Sequence, residues 1–460
     1  MADIKFGTDG WRAITGKDFN EINVSKATNA IAKYVFDTFG IDKKIIIGYD
    51  PRNMADIFSK QCADILVNLG FNVLYSKKIV PTPVLAYSAK HLNACAIMFT
   101  ASHNPPEYLG LKFIPDYAGP ATSDITDKIV NNLGLSIESK RLGTLTEYDF
   151  LQEYEKQLEK LIDFDKIKNI KNTNIIFDGF YSASIGYFDK ILEKHQIKFN
   201  TMNMYHDKNF GGSMPDPKPK FLTDLIEKVK SVPNSIGLAN DGDADRFGVI
   251  NENGEYVSPN EIISILLIHL VKNKGYKGAL VKTVGASLLL DKVAEKLGVE
   301  VIETAVGFKH VGEAMRKYNP IIGGEESGGL SIQGHIPEKD GLLANSLILE
   351  IMAYENKSLV ELQKDLYEFA GCKFYNDRID KKLHNLEEIK PILEKYKSLK
   401  NIGDYKVIRT DLKDGVKLYL DDNTSWILVR PSGTEPLLRI YFESDSLEKI
   451  EENKTNFEKL

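Results

Sequence analysis

Three times along its 460 residues the chain runs through the same three beats, and a repeat of this kind has to be recognised before any fold is assigned. An apolar, β-branched run opens each unit: Lys44 to Gly48 (KIIIG), Asn174 to Phe177 (NIIF) and Gly278 to Val281 (GALV). An amphipathic helical pattern follows, carried by Phe58, Cys62, Ile65, Leu66 and Leu69 in the first unit and by Leu289, Val293 and Leu297 in the third. Gly70 and Gly298 stand where C-terminal caps belong. A second short strand (FNVLYS, HQIKFN, VEVIET) then leads to a third apolar run (ACAIMFT, SIGLA, PIIGG), and each third run opens into a polar loop: TASHNP, NDGDAD and EESGG. Ligands in open α/β sheets collect beyond the carboxyl ends of strands, so three equivalent loops predict one shared cleft.

Beyond Gly371 the pattern changes to short strands, with a helical segment around Leu386 to Leu399, strands near Tyr405 to Arg409 and Val416 to Leu420, and Trp426 to Val429 running into RPSGTEP. This reads as a smaller α+β domain. A mass of 51.7 kDa is too large for one core. The expected domains are 1–150, 151–255, 256–368 and 369–460, with a two-domain enzyme carrying long insertions left open as the alternative.

A net charge of -6 with Lys and Arg spread throughout gives no footprint for nucleic acid or an anionic membrane, so bound phosphate must be held locally. MADIKFGTDGWRAI has neither the basic stretch nor the apolar run of a signal peptide, and the longest apolar stretch, Ile262 to Val271, is too short to span a bilayer. A cytoplasmic location is expected. Cys62, Cys95 and Cys372 have neither pairing nor metal-ligand spacing.

Of the loops, Asp241, Asp243 and Asp245, separated by Gly242 and Ala244 and followed by Arg246, speak most clearly. Alternation along an extended segment would aim three hard carboxylates to one side, a cradle suited to magnesium. With Glu252 they also occupy the first, third, fifth and twelfth places of an EF-hand loop, but Arg246 stands where that loop needs glycine and the flanks are strand-like. Ser102, on a proline-stiffened loop after a buried strand, has the placement of a nucleophile or phosphoryl carrier; on its own such a serine is more often a turn residue. Thr100 and Asn104 stand where a nucleophile elbow needs glycine, and His103 reads as structural. The glycine-rich EESGG segment offers Glu325 and Ser327 to ligand hydroxyls, or is an acidic turn. Arg430, Ser432, Gly433 and Thr434 make a compact anion nest, or a simple turn after a strand.

Taken together and in this order, the four loops resemble those of the α-D-phosphohexomutase family, the phosphoglucomutases and phosphomannomutases, over essentially the whole chain. The resemblance implies three similar α/β sandwich domains with mixed sheets plus a smaller C-terminal α+β domain around a central cleft. It implies a phosphoserine at Ser102, one magnesium ion on Ser102, Asp241, Asp243 and Asp245, sugar contacts from Glu325 and Ser327, and a phosphate site at Arg430, Ser432, Gly433 and Thr434. FGTDGWR is similar to the family's opening signature and brings in Arg12; Lys112, Arg246, Lys282 and Lys309 match cationic positions around its substrate. GHIPEKDG, with His335 and Lys339, resembles the segment after the sugar loop in phosphoglucomutases. Many bacterial members end the sugar loop Ser-Gly-His, whereas this chain has Ser327, Gly328 and Gly329, leaving His335, Lys309 or Lys112 for proton transfer. The implied activity interconverts hexose 1- and 6-phosphates of glucose, mannose or both, with hexose 1,6-bisphosphate as intermediate and activator. Phosphoglucosamine mutase, a metal-dependent phosphohydrolase and a non-catalytic relative are the alternatives. The expected partner is a hexose phosphate, with no nucleic acid and no membrane; the motifs carry no statement of oligomeric state.

Overall fold

The computed structural model describes residues 4–7, 9–139, 141–431 and 436–460. The three repeats fold into three sheets that share one four-strand pattern. In the first, Ile45–Tyr49 pairs in parallel with Val73–Ser76 on one side and Cys95–Phe99 on the other, and Cys95–Phe99 pairs antiparallel with Tyr108–Ile114. Asn174–Asp178, Asn200–Met202, Ser235–Asn240 and Phe247–Ile250 repeat that order, as do Leu280–Thr283, Val301–Thr304, Ile322–Gly324 and Leu330–Ile332. The mixed sheet therefore always places one hairpin after its third strand, and the three polar loops are those hairpins. The first sheet adds Leu145–Tyr148 at one edge and Trp11–Ile14 at the other.

One expected strand is displaced. HQIKFN barely overlaps its strand, which begins at Asn200, because His195 ends the short helix Phe188–Lys194 and Gln196 turns back in a left-handed conformation.

Apolar packing joins the three units. A single buried cluster runs from Ile46 and Met98 through Phe177 and Leu238 to Leu280 and Leu366. At its centre lies helix Gly341–Glu355, apolar on all sides and buried from Gly341 to Met352. Asp340 caps this helix, and the Gly341 N–H reaches the carbonyl of Ala244 in the aspartate loop at 3.2 Å. The run Ile262 to Val271 lies within helix Pro259–Lys272, started by a Ser258–Glu261 capping box, and no helix among the described residues is long and apolar enough to cross a membrane. The fourth domain is an antiparallel sheet with its own core around Leu418, Ile427, Phe442 and Phe457.

Candidate active site

Ser102 follows strand Cys95–Phe99, buried, with a left-handed backbone at φ 52°. Such a conformation in a non-glycine residue costs about 1–3 kcal/mol and persists only where its surroundings over-determine it. Arg52 supplies much of that constraint. Fully buried, it donates from Nη2 to the carbonyls of Ser102 (2.6 Å) and Asn104 (2.7 Å), and from Nη1 to those of Pro105 (2.8 Å) and Tyr108 (2.9 Å). Asp50 pairs with Arg52 at 3.2 Å and accepts from Thr100 Oγ1 at 2.6 Å, while Thr100 Oγ1 accepts the Ser102 N–H at 2.8 Å. No motif announced Asp50 or Arg52; their only signal is a charged pair directly after an apolar strand.

The Ser102 hydroxyl donates to Asp241 Oδ2 at 2.7 Å and stands 3.3 Å from His103 Nδ1. Burial, reinforced by Arg246 and Arg12, pushes the His103 imidazole well below its ordinary range, so it is neutral.

Asp241, Asp243 and Asp245 each bring a carboxylate oxygen within 4.8 Å of the others. They converge because the loop is a turn and not, as alternation suggested, because the segment is extended: the Ala244 N–H closes on the Asp241 carbonyl at 2.9 Å with Ala244 at φ 61°. Gly242 is required by close approach, since a Cβ there would lie 2.6 Å from the Ser102 carbonyl oxygen. Lys112 Nζ pairs with Asp243 Oδ2 at 2.8 Å, Asp245 Oδ2 at 3.0 Å and Asp9 Oδ2 at 2.8 Å. Lys339 Nζ pairs with Asp245 Oδ2 at 2.7 Å and Asp9 at 3.3 Å. Thr82 Oγ1 donates to Asp243 Oδ2 at 2.6 Å.

These contacts fix the charges. Burial works against the Lys112 ammonium, but Asp243, Asp245 and Asp9 outweigh it and hold Lys112 protonated. Burial likewise opposes the Asp243 carboxylate, yet Lys112 and Lys339 keep it below the usual range. Burial and then repulsion from Asp245 and Asp243 push the Asp241 carboxyl well above that range. Asp243 Oδ1 and Asp245 Oδ1 are buried with no hydrogen-bond partner among the described residues. Crowded hard oxygens, two of them unpartnered, fit a metal ion of the magnesium type.

In the third hairpin, Glu325 Oε1 accepts the Gly307 N–H at 2.9 Å, and Ser327 Oγ donates to Glu325 Oε2 at 3.2 Å. Burial, with Glu326 adding to it, pushes the Glu325 carboxyl up to about 7. At 329, where this chain has glycine in place of histidine, a Cβ would lie 2.5 Å from Lys339 Cδ and 2.6 Å from its Cγ. The Lys339 stem fills that space and delivers its ammonium to Asp245 and Asp9.

Arg12, on edge strand Trp11–Ile14, reaches the serine loop through Asn104 Oδ1 at 2.6 Å and pairs with Asp9 at 3.2 Å. Arg246 Nε is buried without a partner among the described residues. Lys309 donates to Ser123 Oγ at 3.0 Å, bridging the third domain to the first. Arg430 is held at Nε by Asp414 at 2.6 Å, and Arg439 lies directly opposite it on the neighbouring strand with its own Nε buried and unpartnered among the described residues. Ser432, Gly433 and Thr434 lie outside the described residues.

Two expected substrate contacts are buried and engaged within the protein. His335 is buried, bonded through Nε2 to Asp340 Oδ2 at 2.8 Å and stacked on Tyr87, so it braces the cap of helix Gly341–Glu355, while its Nδ1 has no partner among the described residues. Lys282 is also buried: Asp291 takes its ammonium and the Ser287 carbonyl accepts from it at 3.2 Å. The EF-hand alternative falls too. Glu252, its twelfth residue, accepts the Leu359 and Val360 N–H groups at 2.9 Å and 3.1 Å and caps helix Leu359–Ala370.

Four family models match in succession: the phosphoglucomutase/phosphomannomutase alpha/beta/alpha domain I over residues 3–136, domain II over 152–254, domain III over 258–369, and the C-terminal domain over 380–460. A phosphoglucomutase/phosphomannomutase from Thermococcus kodakarensis is 30% identical over 453 residues, covering 97% of this chain and 96% of the relative. A phosphoglucosamine mutase from Methanococcus vannielii is 30% identical over 459 residues, covering 95% and 94%. A solved structure from Thermus thermophilus, carrying a provisional phosphomannomutase name, has a TM-score of 0.88 at 29% identity and covers 100% of this chain and 99% of its own.

Proposed function

Because the chain belongs to the phosphoglucomutase/phosphomannomutase family and is a phosphohexomutase, we propose that it interconverts the 1- and 6-phosphates of glucose, mannose or both through phosphorylated Ser102. The observation that carries this reading is the Ser102 hydroxyl 2.7 Å from Asp241, inside a cluster of three aspartates with Lys112 and Lys339 beside it.

A magnesium ion held by Ser102, Asp241, Asp243 and Asp245 would supply positive charge to the oxygens of the transferring phosphoryl group. The chain's own residues do the rest. Arg52 and Thr100 fix Ser102 so that a phosphoryl group on its oxygen faces the cleft. Lys112 and Lys339, kept protonated by their carboxylates, and Arg246 neutralise charge on that group, which is most of what phosphoryl transfer asks of a protein. A sugar hydroxyl attacks the phosphorus as the bond to Ser102 Oγ breaks, its proton passes to the departing Ser102 oxygen, and hexose 1,6-bisphosphate and free Ser102 result. The bisphosphate reverses in the cleft, Glu325 and Ser327 hold ring hydroxyls, and the Arg430 loop holds the phosphate remote from Ser102. Return of the second phosphate to Ser102 completes the isomerisation. We assign this reaction to the cytoplasm.

Relatives named phosphoglucosamine mutase at the same identity support a second reading, in which the 2-position carries an amine. Rates with glucose, mannose and glucosamine 1-phosphates, measured beside release of free phosphate, test both. A mutase forms the 6-phosphate without free phosphate; stoichiometric free phosphate would make the protein a hydrolase.

A further inference from the structure

Arg430 is restrained before any ligand reaches it. The Asp414 Oδ2 that accepts from Arg430 Nε at 2.6 Å also accepts the Val306 N–H at 3.0 Å, across the boundary between the fourth and third domains. The next amide, Gly307 N–H, donates to Glu325 Oε1 at 2.9 Å. Two consecutive amides thus hold carboxylates from two distant loops: Asp414 from the turn between strands Tyr405–Asp411 and Val416–Leu420, and Glu325 from the third hairpin. Both carboxylates sit at the start of helix Phe308–Tyr318, whose positive end favours negative charge. Gly307 takes φ 117°, a backbone that residues with side chains rarely adopt, so the geometry of this dipeptide is set by the sequence. The two Nη groups of Arg430 have no hydrogen-bond partner among the described residues, and a guanidinium held at Nε keeps those two groups for a forked contact with an anion.

We propose that Asp414 is a positioning residue that fixes Arg430 through Nε and fastens this phosphate anchor to the Val306–Gly307 step from which Glu325 is also held. A long arginine side chain has rotamer freedom to lose on binding, and a neighbour that fixes it beforehand removes that loss from the binding step. Because the same dipeptide carries both grips, the distance between the anchor for phosphate and the anchor for hydroxyls is set by one peptide step and not by two independently moving domains. The inference rests on the reading of Arg430 as a phosphate ligand.

The test compares wild type, Asp414→Asn, Arg430→Ala and the double variant in initial rates with glucose 1-phosphate, or mannose 1-phosphate if that is the faster substrate, at saturating glucose 1,6-bisphosphate. Asparagine keeps an oxygen for the Val306 N–H and removes only the charge that Arg430 leans on. Asp414→Asn is expected to raise KM roughly tenfold with a smaller change in kcat, as befits one charge-assisted hydrogen bond. In the Arg430→Ala background it should raise KM no further, because it acts through the residue already removed. Asp414→Glu, which keeps the charge, should recover KM to within about threefold of wild type. A wild-type KM in Asp414→Asn, or a penalty that multiplies onto that of Arg430→Ala, overturns the positioning role alone. An unchanged KM in Arg430→Ala overturns the reading of Arg430, and the role of Asp414 with it.

Discussion

Glu325 carries the clearest acid–base consequence of this site. Burial and the neighbouring Glu326 raise its carboxyl from 4.5 to about 7, so the folded protein binds this proton more tightly than the unfolded chain does. The stability it contributes is complete below the unfolded value and is lost as pH rises through the folded one. Glu325→Gln should therefore remove a fall in stability, on the order of a few kcal/mol, that wild type suffers between about pH 4.5 and 7. Thermal midpoints of the ligand-free proteins across that range check this; parallel curves would contradict it. Single residues were legible where their chemistry is exposed by spacing. Asp241, Asp243, Asp245 and Ser102 do meet, but Thr82 and Arg52 carry no local pattern and become visible only when the chain folds back on itself. His335 and Lys282, which their motifs place near the cleft, are buried and already engaged by Asp340 and Asp291.

At the scale of elements, the repeat was readable because its third strand and following hairpin recur with the same polar break. Strand Asn200–Met202 was misplaced because HQIKFN alternates like a strand, while helix capping at His195 consumes its first residues. Glu252 shows how an element end can imitate a ligand. Its carboxylate fits the spacing of a calcium loop, yet both oxygens meet the first amides of helix Leu359–Ala370. Glu252→Ala should cost about 1 kcal/mol, the usual worth of a helix cap, and leave the magnesium dependence of activity unchanged. Denaturant unfolding and a magnesium titration measure the two effects. A weakened magnesium response with unaltered stability would return Glu252 to the metal.

Across the whole molecule, one apolar core welds the first three domains, while the fourth keeps its own and meets the third through the small cluster of Val284, Tyr419, Trp426 and Leu428. Phosphoserine chemistry therefore sits within the joined domains, while Arg430 stands on the fourth and is tied to the third through Asp414 and the Val306 N–H. A bisphosphate released from Ser102 then has a fixed anchor against which to reverse and be recaptured without leaving the protein. In this mechanism the phosphate on Ser102 becomes the product's phosphate. Enzyme labelled on its serine phosphate, mixed with unlabelled glucose 1-phosphate and quenched after one turnover, tests it directly. The label should leave Ser102 and appear at C6 of glucose 6-phosphate, while Ser102 regains an unlabelled phosphate. Product that forms while the label stays on the protein, or label released as free phosphate, would contradict the account.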